Sequence, residues 1–173
     1  MAAPQPSFTP EFASAFRDMY VGILENELAT TKRVIGNIPE DKKSYTPHKD
    51  SRTAWQIAVH VAQSDVWFLN SLAEQKFDWT DQPEPATTVA GLNEWYDKNF
   101  RTGAARVRKM SGPELLKTVD FFGIMKAPLF LYLNFALVHA VHHRGQLSTY
   151  LRPMGAKVPD IYGGSFDEPF TGQ

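Results

Sequence analysis

The chain has 173 residues, 43% of them hydrophobic, within the range of a single domain with one sizeable core. Its 18 basic and 19 acidic residues nearly cancel and form no block of like charge, which leaves no electrostatic footprint for nucleic acid. The absence of cysteine excludes disulfides, thiolate metal ligands and a protein-borne thiol nucleophile, leaving His, Asp and Glu as the strong metal ligands.

The opening MAAPQPSFTP has neither the basic region nor the apolar run of a signal peptide and is expected to be a short ragged arm. Thr9 as N-cap, Pro10 at the first helical position and Glu11 in the first turn then predict a helix start. Phe12, Phe16, Met19, Ile23, Leu24 and Leu28 repeat at helical spacing, so helix one runs to about Asn37 with one apolar face. The polar, proline-containing stretch NIPEDKKSYTPHKDS is a connection. Thr53 and Gln56 have capping-box spacing, followed by Trp55, Val59, Ala62, Val66 and Leu69 on a helical period, and helix two runs to about Gln75.

FDWTDQPEPATT reads as a long loop able to overhang a site. Val89, Leu92, Trp95, Tyr96, Asn99 and Val107 mark helix three, whose basic C-terminal end suits the helix dipole. Ser111 and Glu114 cap a further short turn of helix, and KTVDFF has the character of an extended piece. Pro128 restarts a helix that runs through Tyr150 until Pro153 stops it. The longest apolar run, 127 to 141, contains Asn134 and His139 and is shorter than the roughly 20 residues a membrane span needs. These signals predict a cytoplasmic protein with neither a membrane nor a nucleic acid as partner. The expected fold is all-α: a four-helix bundle with a short extended segment before the last helix, forming one domain over 1–173 with irregular tails at 1–8 and 156–173.

Three of the five histidines fall in HAVHHRGQL, which begins at His139. At about 100° per residue, His139 and His143 lie about 40° and one turn apart, so both imidazoles can converge on one point. Tyr132, Phe135, Gln146 and Tyr150 project onto the same stripe, which is expected to face the bundle. His142 lies nearer the edge of that stripe and is given a supporting or structural role. His60, mid-helix among Trp55, Val59, Val61 and Trp67, is the candidate for a third ligand. Three histidines leave a coordination position open, the pattern of a catalytic zinc-type site. A lone buried histidine is more often a hydrogen-bonded core residue, and H-x-x-x-H alone often arises by chance. Together they weigh more, because three imidazoles in one apolar interior carry desolvation costs unless something organises them. His48, in a proline-flanked polar loop, is expected to be solvated.

Gly145 costs about 1 kcal/mol in a helix interior, which suggests close approach of a neighbour. Gln146 is expected to hydrogen-bond a ligand imidazole or backbone and fix the ring's orientation, and Arg144 to face outward or reach an acidic partner on another helix. Gln63, Ser64 and Trp67, within about two turns of His60, are candidates to orient a substrate.

The helix reading W-x-x-x-x-H-V at Trp55, His60 and Val61, then H-x-x-x-H-R-G-Q-L followed by YLRPMG, resembles the DinB-like superfamily of metalloenzymes, named for a DNA-damage-inducible gene. His139, His143, Arg144, Gly145, Gln146, Tyr150, Leu151 and Gly155 carry the second half of the likeness. The resemblance implies an up-down-down-up four-helix bundle in which His60, His139 and His143 bind a divalent metal, nickel or zinc, and which forms a homodimer. Relatives in that superfamily include transferases that use low-molecular-weight thiols such as bacillithiol and mycothiol, and a thiol-dependent maleylpyruvate isomerase. The leading expectation is a metal-dependent thiol S-transferase acting on small electrophiles, its thiol a diffusible cofactor. A metal-dependent hydrolase and a non-catalytic metal-stabilised binding or dimerisation module are the alternatives.

Overall fold

The computed structural model describes residues 8–79 and 81–171. Most of the expected N-terminal arm therefore lies outside the described residues. Phe8 is the exception, its ring edge-on to Phe130 at 4.9 Å and stacked on Phe12 at 5.5 Å.

Helix α1 spans Pro10–Gly36, with the Thr9 side chain accepting the Phe12 N–H as the sequence predicts. Helix α2, Ala54–Glu74, opens on the reciprocal capping box of Thr53 and Gln56. Helix α3 covers Val89–Arg108, and the short α4, Gly112–Leu115, is held by the box between Ser111 and Glu114. Helix α5, Tyr132–Leu151, completes the bundle. Helices α2 and α3, α2 and α5, α1 and α3, and α1 and α5 pack as neighbours, which puts α1 diagonally across from α2.

The extended piece is half of a hairpin. Strand β1, Thr118–Phe121, pairs antiparallel with β2, Met125–Pro128, in the register Thr118 to Pro128 and Phe121 to Met125. Phe122 and Gly123 both take left-handed φ values, 51° and 72°, in the three-residue connection Phe122–Ile124, which the Ile124 N–H closes by donating to Phe121 O at 2.9 Å. Pro128 consequently ends a strand instead of opening a helix. A 3-10 turn over Leu129–Leu131 intervenes before α5.

The core is one cluster to which all the long helices contribute. On α2 the apolar pattern is wide, with Ile57, Ala58, Val61, Ala62, Phe68, Leu69 and Leu72 all buried. The hairpin closes one end of the bundle through Phe121, whose ring stacks on Phe68 at 6.1 Å and meets Phe135 edge-on at 5.2 Å. Residues 156–171 form neither helix nor strand, yet they are fastened to the bundle: Arg152 pairs with Asp167 at 2.7 Å and Arg33 with Glu168.

Candidate metal centre

Two helices bring the three histidines together. His60 comes from the middle of α2, and His139 and His143 from successive turns of α5, so the α2–α5 packing decides their geometry. The ring centroids lie 5.1 Å (His60–His139), 4.4 Å (His60–His143) and 4.5 Å (His139–His143) apart. One nitrogen from each ring falls within 4.8 Å of the other two, and each residue is partly buried.

The hydrogen bonds around the rings orient them. Gln146 Oε1 lies 2.7 Å from His143 Nδ1, so that nitrogen donates and Nε2 presents its lone pair. That lone pair faces His60 Nε2 at 3.1 Å. His60 Nδ1 lies 3.4 Å from Ser64 Oγ, a hydroxyl able to donate or accept and so to serve either tautomer. His139 Nδ1 is buried without a hydrogen-bond partner among the described residues. A neutral imidazole has one donor and one acceptor nitrogen, so an orphaned buried ring nitrogen is a place where a partner is missing. This donor set fits a cation with a preference for nitrogen ligands.

Burial also sets the charge. It pushes His60 down to about 4, helped by the charges of Arg52 and His143. His139 falls to about 4 as well, again through burial first and the neighbouring histidines next. Burial lowers His143, and the bond to Gln146 offsets part of that. All three are therefore neutral at pH 7, the protonation state a ligand needs.

A cavity of about 320 Å³ opens beside His60. Gln63, Ser64 and Trp67 of α2 line it, with Arg52 nearby and Trp79, Asp81 and Glu84 on the facing loop. The polar heads of two sequence-predicted pocket residues are already engaged: Gln63 Nε2 donates to Pro83 O at 2.8 Å, and Trp67 Nε1 to Asp78 O at 2.8 Å. They fasten the loop over α2 as well as lining the cavity. Ser64 reaches His60 itself.

His142 is exposed and touches His143 only ring to ring, at 4.8 Å. His48 stands apart in an exposed loop, accepting the Asp50 N–H at 3.2 Å.

Two expectations for α5 need correction, and an open choice is decided. Its buried residues are Tyr132, Leu133, Ala136, Ala140, Arg144, Leu147 and Leu151, so of the expected stripe Tyr132 faces the core, the histidine pair and Tyr150 sit at its rim, and Phe135 and Gln146 are exposed. Of the two expectations for Arg144, to face outward or to reach an acidic partner on another helix, the second holds. Arg144 is 1% exposed, and the partner is Glu27 of α1. Gly145 is exposed, and a Cβ there would meet nothing within 4 Å, so it is not a close-packing glycine. That role belongs to Gly103 on α3, where a Cβ would come to 2.8 Å from Leu69 Cβ on α2.

Sequence reasoning missed the buried polar residues beneath the site. Asp65 is 4% exposed on α2 and accepts the Tyr96 hydroxyl of α3, while its Oδ1 lacks a partner among the described residues. Its signal was present, a lone acid within the buried run SDVWF, but its partner is 31 residues away.

Comparison with known proteins agrees with this architecture. An uncharacterized protein YrdA of Bacillus subtilis is 22% identical over 153 residues, covering 87% of this chain and 90% of the relative. A second uncharacterized protein of that organism, YjoA, is 27% identical over 130 residues, covering 72% and 82%. Among solved structures, the DinB-like protein YjoA matches with a TM-score of 0.66 at 23% identity, over 83% of this chain and 96% of that one. A DinB-like protein of Bacillus cereus matches with a TM-score of 0.70 at 21% identity, over 83% and 95%. The DinB family model matches residues 18–171, and the chain belongs to the DinB family.

Proposed function

We propose that His60, His139 and His143 hold one divalent ion, nickel or zinc, and that the chain is an enzyme transferring a low-molecular-weight thiol to a small electrophile. The observation that carries the metal is the convergence of three neutral imidazoles, two of them held by outer partners, Gln146 on His143 and Ser64 on His60, and the third, His139, with a buried nitrogen that has no partner among the described residues. Three protein ligands leave room for an exchangeable one, and an ion there supplies the Lewis acidity that brings a bound thiol or water toward its anion at neutral pH. The absence of cysteine makes the thiol a diffusible one. The cavity beside His60 has the volume of a small-molecule site, with Trp67 and Trp79 as apolar wall and Arg52 as a cation. Among the described residues no helix is long and apolar enough to cross a membrane.

Association as a homodimer belongs to the same reading. Phe12 and Met19 on α1 and Phe135 and Val138 on α5 remain 48%, 55%, 39% and 58% exposed on helices that pack side by side.

The test is elemental analysis of protein purified without a metal-affinity tag, followed by a screen of small electrophiles with and without several thiols. Saturable dependence on added thiol supports the transferase. Turnover without thiol replaces it with a hydrolase, and no turnover with metal-dependent stability replaces it with a binding module.

A further inference from the structure

A chain of polar side chains, joined by hydrogen bonds at both ends, runs through the middle of the bundle and touches every long helix. Arg144 of α5, fully buried, donates from Nη1 to Glu27 of α1 and to Thr31 Oγ1 of α1 at 3.3 Å. Thr31, 1% exposed, faces the hydroxyl of Tyr96 on α3. Tyr96 in turn donates to Asp65 Oδ2 on α2. Each hydroxyl can accept from one neighbour and donate to the next, so the chain has a direction, from the guanidinium on α5 to the carboxylate on α2. From the C-terminal segment, Tyr162 places its ring 5.0 Å from the guanidinium and its hydroxyl against both Arg144 and Glu27.

The two ends of this chain sit on the two helices that carry the histidines. Arg144 directly follows His143, and Asp65 lies five residues beyond His60. Apolar packing between α2 and α5 tolerates small slides and rotations, because Leu, Ala and Val surfaces have no directional preference. A buried, directional set of polar contacts does not, since a displaced member leaves an unpaired group in the core, where no water replaces its partner. The hydrophobic alternative would be at least as stable, because desolvating an ion pair offsets most of its attraction. Stability alone thus gives no reason for an arginine at the centre of the core face of α5.

We propose that Arg144 is a positioning residue for the three-histidine site: through Thr31, Tyr96 and Asp65 it locks the rotation and register of α5 against α2, and so sets His139 and His143 against His60. This rests on the metal reading given above. It assigns Glu27, Thr31, Tyr96 and Asp65, none of which reaches the cluster, a share in the geometry of the ligands.

Two full-length variants test it. In Arg144→Met with Glu27→Leu the ion pair is replaced by apolar side chains, and in Thr31→Val the hydroxyl in the middle of the chain is removed at nearly constant shape. Co(II) is the probe, because its visible absorption reports ligand geometry and its affinity can be measured against a chelator. The expected result is Co(II) affinity roughly tenfold weaker in the double variant, the size of an outer-partner loss, with displaced absorption bands and unchanged melting of the metal-free protein. Thr31→Val shows a smaller shift in the same direction. Wild-type affinity and bands in both variants overturn the proposal, and so does a wild-type spectrum in Thr31→Val if the double variant does not fold. Failure of the wild-type chain to take up Co(II) removes the metal reading instead. The positioning is then read in metal-free protein from the imidazole NMR resonances of His139 and His143, which move in Thr31→Val if the chain sets them and stay if it does not.

Discussion

Gln146 Oε1 stands 2.7 Å from His143 Nδ1, one turn along the same helix, and fixes which nitrogen of that imidazole is free. The Gln146 side chain is otherwise exposed, so its removal takes away orientation without opening the core. Gln146→Ala is expected to weaken metal affinity by roughly tenfold while leaving the melting temperature of the metal-free protein within a degree or two. Competition with a chromophoric chelator measures the first and calorimetry the second. Wild-type affinity in the variant would contradict the assignment.

The histidines separate into classes by what they touch. His60→Ala, His139→Ala and His143→Ala should each abolish stoichiometric binding of one ion, and His48→Ala should leave it intact. His142→Ala should cost less than Gln146→Ala, because its ring touches His143 without a hydrogen bond. Metal at a hundredfold excess over Kd should stabilise the wild-type chain by about 2.7 kcal/mol, an increment absent from the three ligand variants. Full stoichiometry in His139→Ala would show that the ligand set is wrong.

Local signals were the most legible part of this chain. The capping boxes at Thr53 with Gln56 and at Ser111 with Glu114 each need only four consecutive residues, and both formed as read. The convergence of His139 and His143 follows from helical spacing alone, and their meeting with His60 from the packing of α2 on α5. The second hairpin strand was not legible, because Met125–Pro128 is short and carries a lysine and a proline. For Arg144 the sequence offered two environments, water or an acidic partner on another helix, and could not choose between them. Its partner Glu27 lies 117 residues away, and no local pattern distinguishes an arginine in a buried network from one in water.

Acid should act on the metal-free fold in two opposing ways. His60 and His139 are held near 4 in the folded protein, chiefly by burial, against about 6.5 when unfolded. Between these values the unfolded chain binds protons that the folded chain refuses, so their contribution is fully present above about pH 6.5 and is lost as pH falls toward 4. Asp65 has the opposite sign. Burial raises it to about 7, with the Tyr96 hydrogen bond and the charge of Arg144 resisting, so the folded chain retains a proton that the unfolded chain releases above about 4. Its contribution is therefore greatest below about pH 4 and is lost as pH rises through 7. Asp65→Asn should remove that component and steepen the decline in stability from pH 7 to 4 by about one proton's worth of slope. Urea titrations of metal-free protein at half-unit pH steps measure it, and an unchanged slope would refute the assignment.

Association through the outer face of α1 and α5 predicts a dimer at micromolar concentration by sedimentation. Phe135 and Val138 are 39% and 58% exposed, so Phe135→Ser with Val138→Lys should give a folded monomer. A wild-type chain that sediments only as a monomer would eliminate the homodimer.

Two glycines give opposite expectations for the same substitution. Gly145 lies in the interior of α5 with its Cβ position open to at least 4 Å, and nothing in its surroundings demands the missing side chain. Gly145→Ala should therefore stabilise the protein by about 0.5–1 kcal/mol, by reducing the freedom of the unfolded chain, and leave metal affinity unchanged. Gly103 also lies within a helix, but a Cβ there would sit 2.8 Å from Leu69 Cβ, a core residue 1% exposed on the helix that carries His60. The α2–α3 contact must then open, at an overpacking cost of about 1–3 kcal/mol that outweighs the roughly 1 kcal/mol gained from helix propensity. Gly103→Ala should melt at a lower temperature than wild type and Gly145→Ala at a higher one. A destabilised Gly145→Ala variant with weakened metal binding would instead mean that a backbone or side chain approaches α5 at that point.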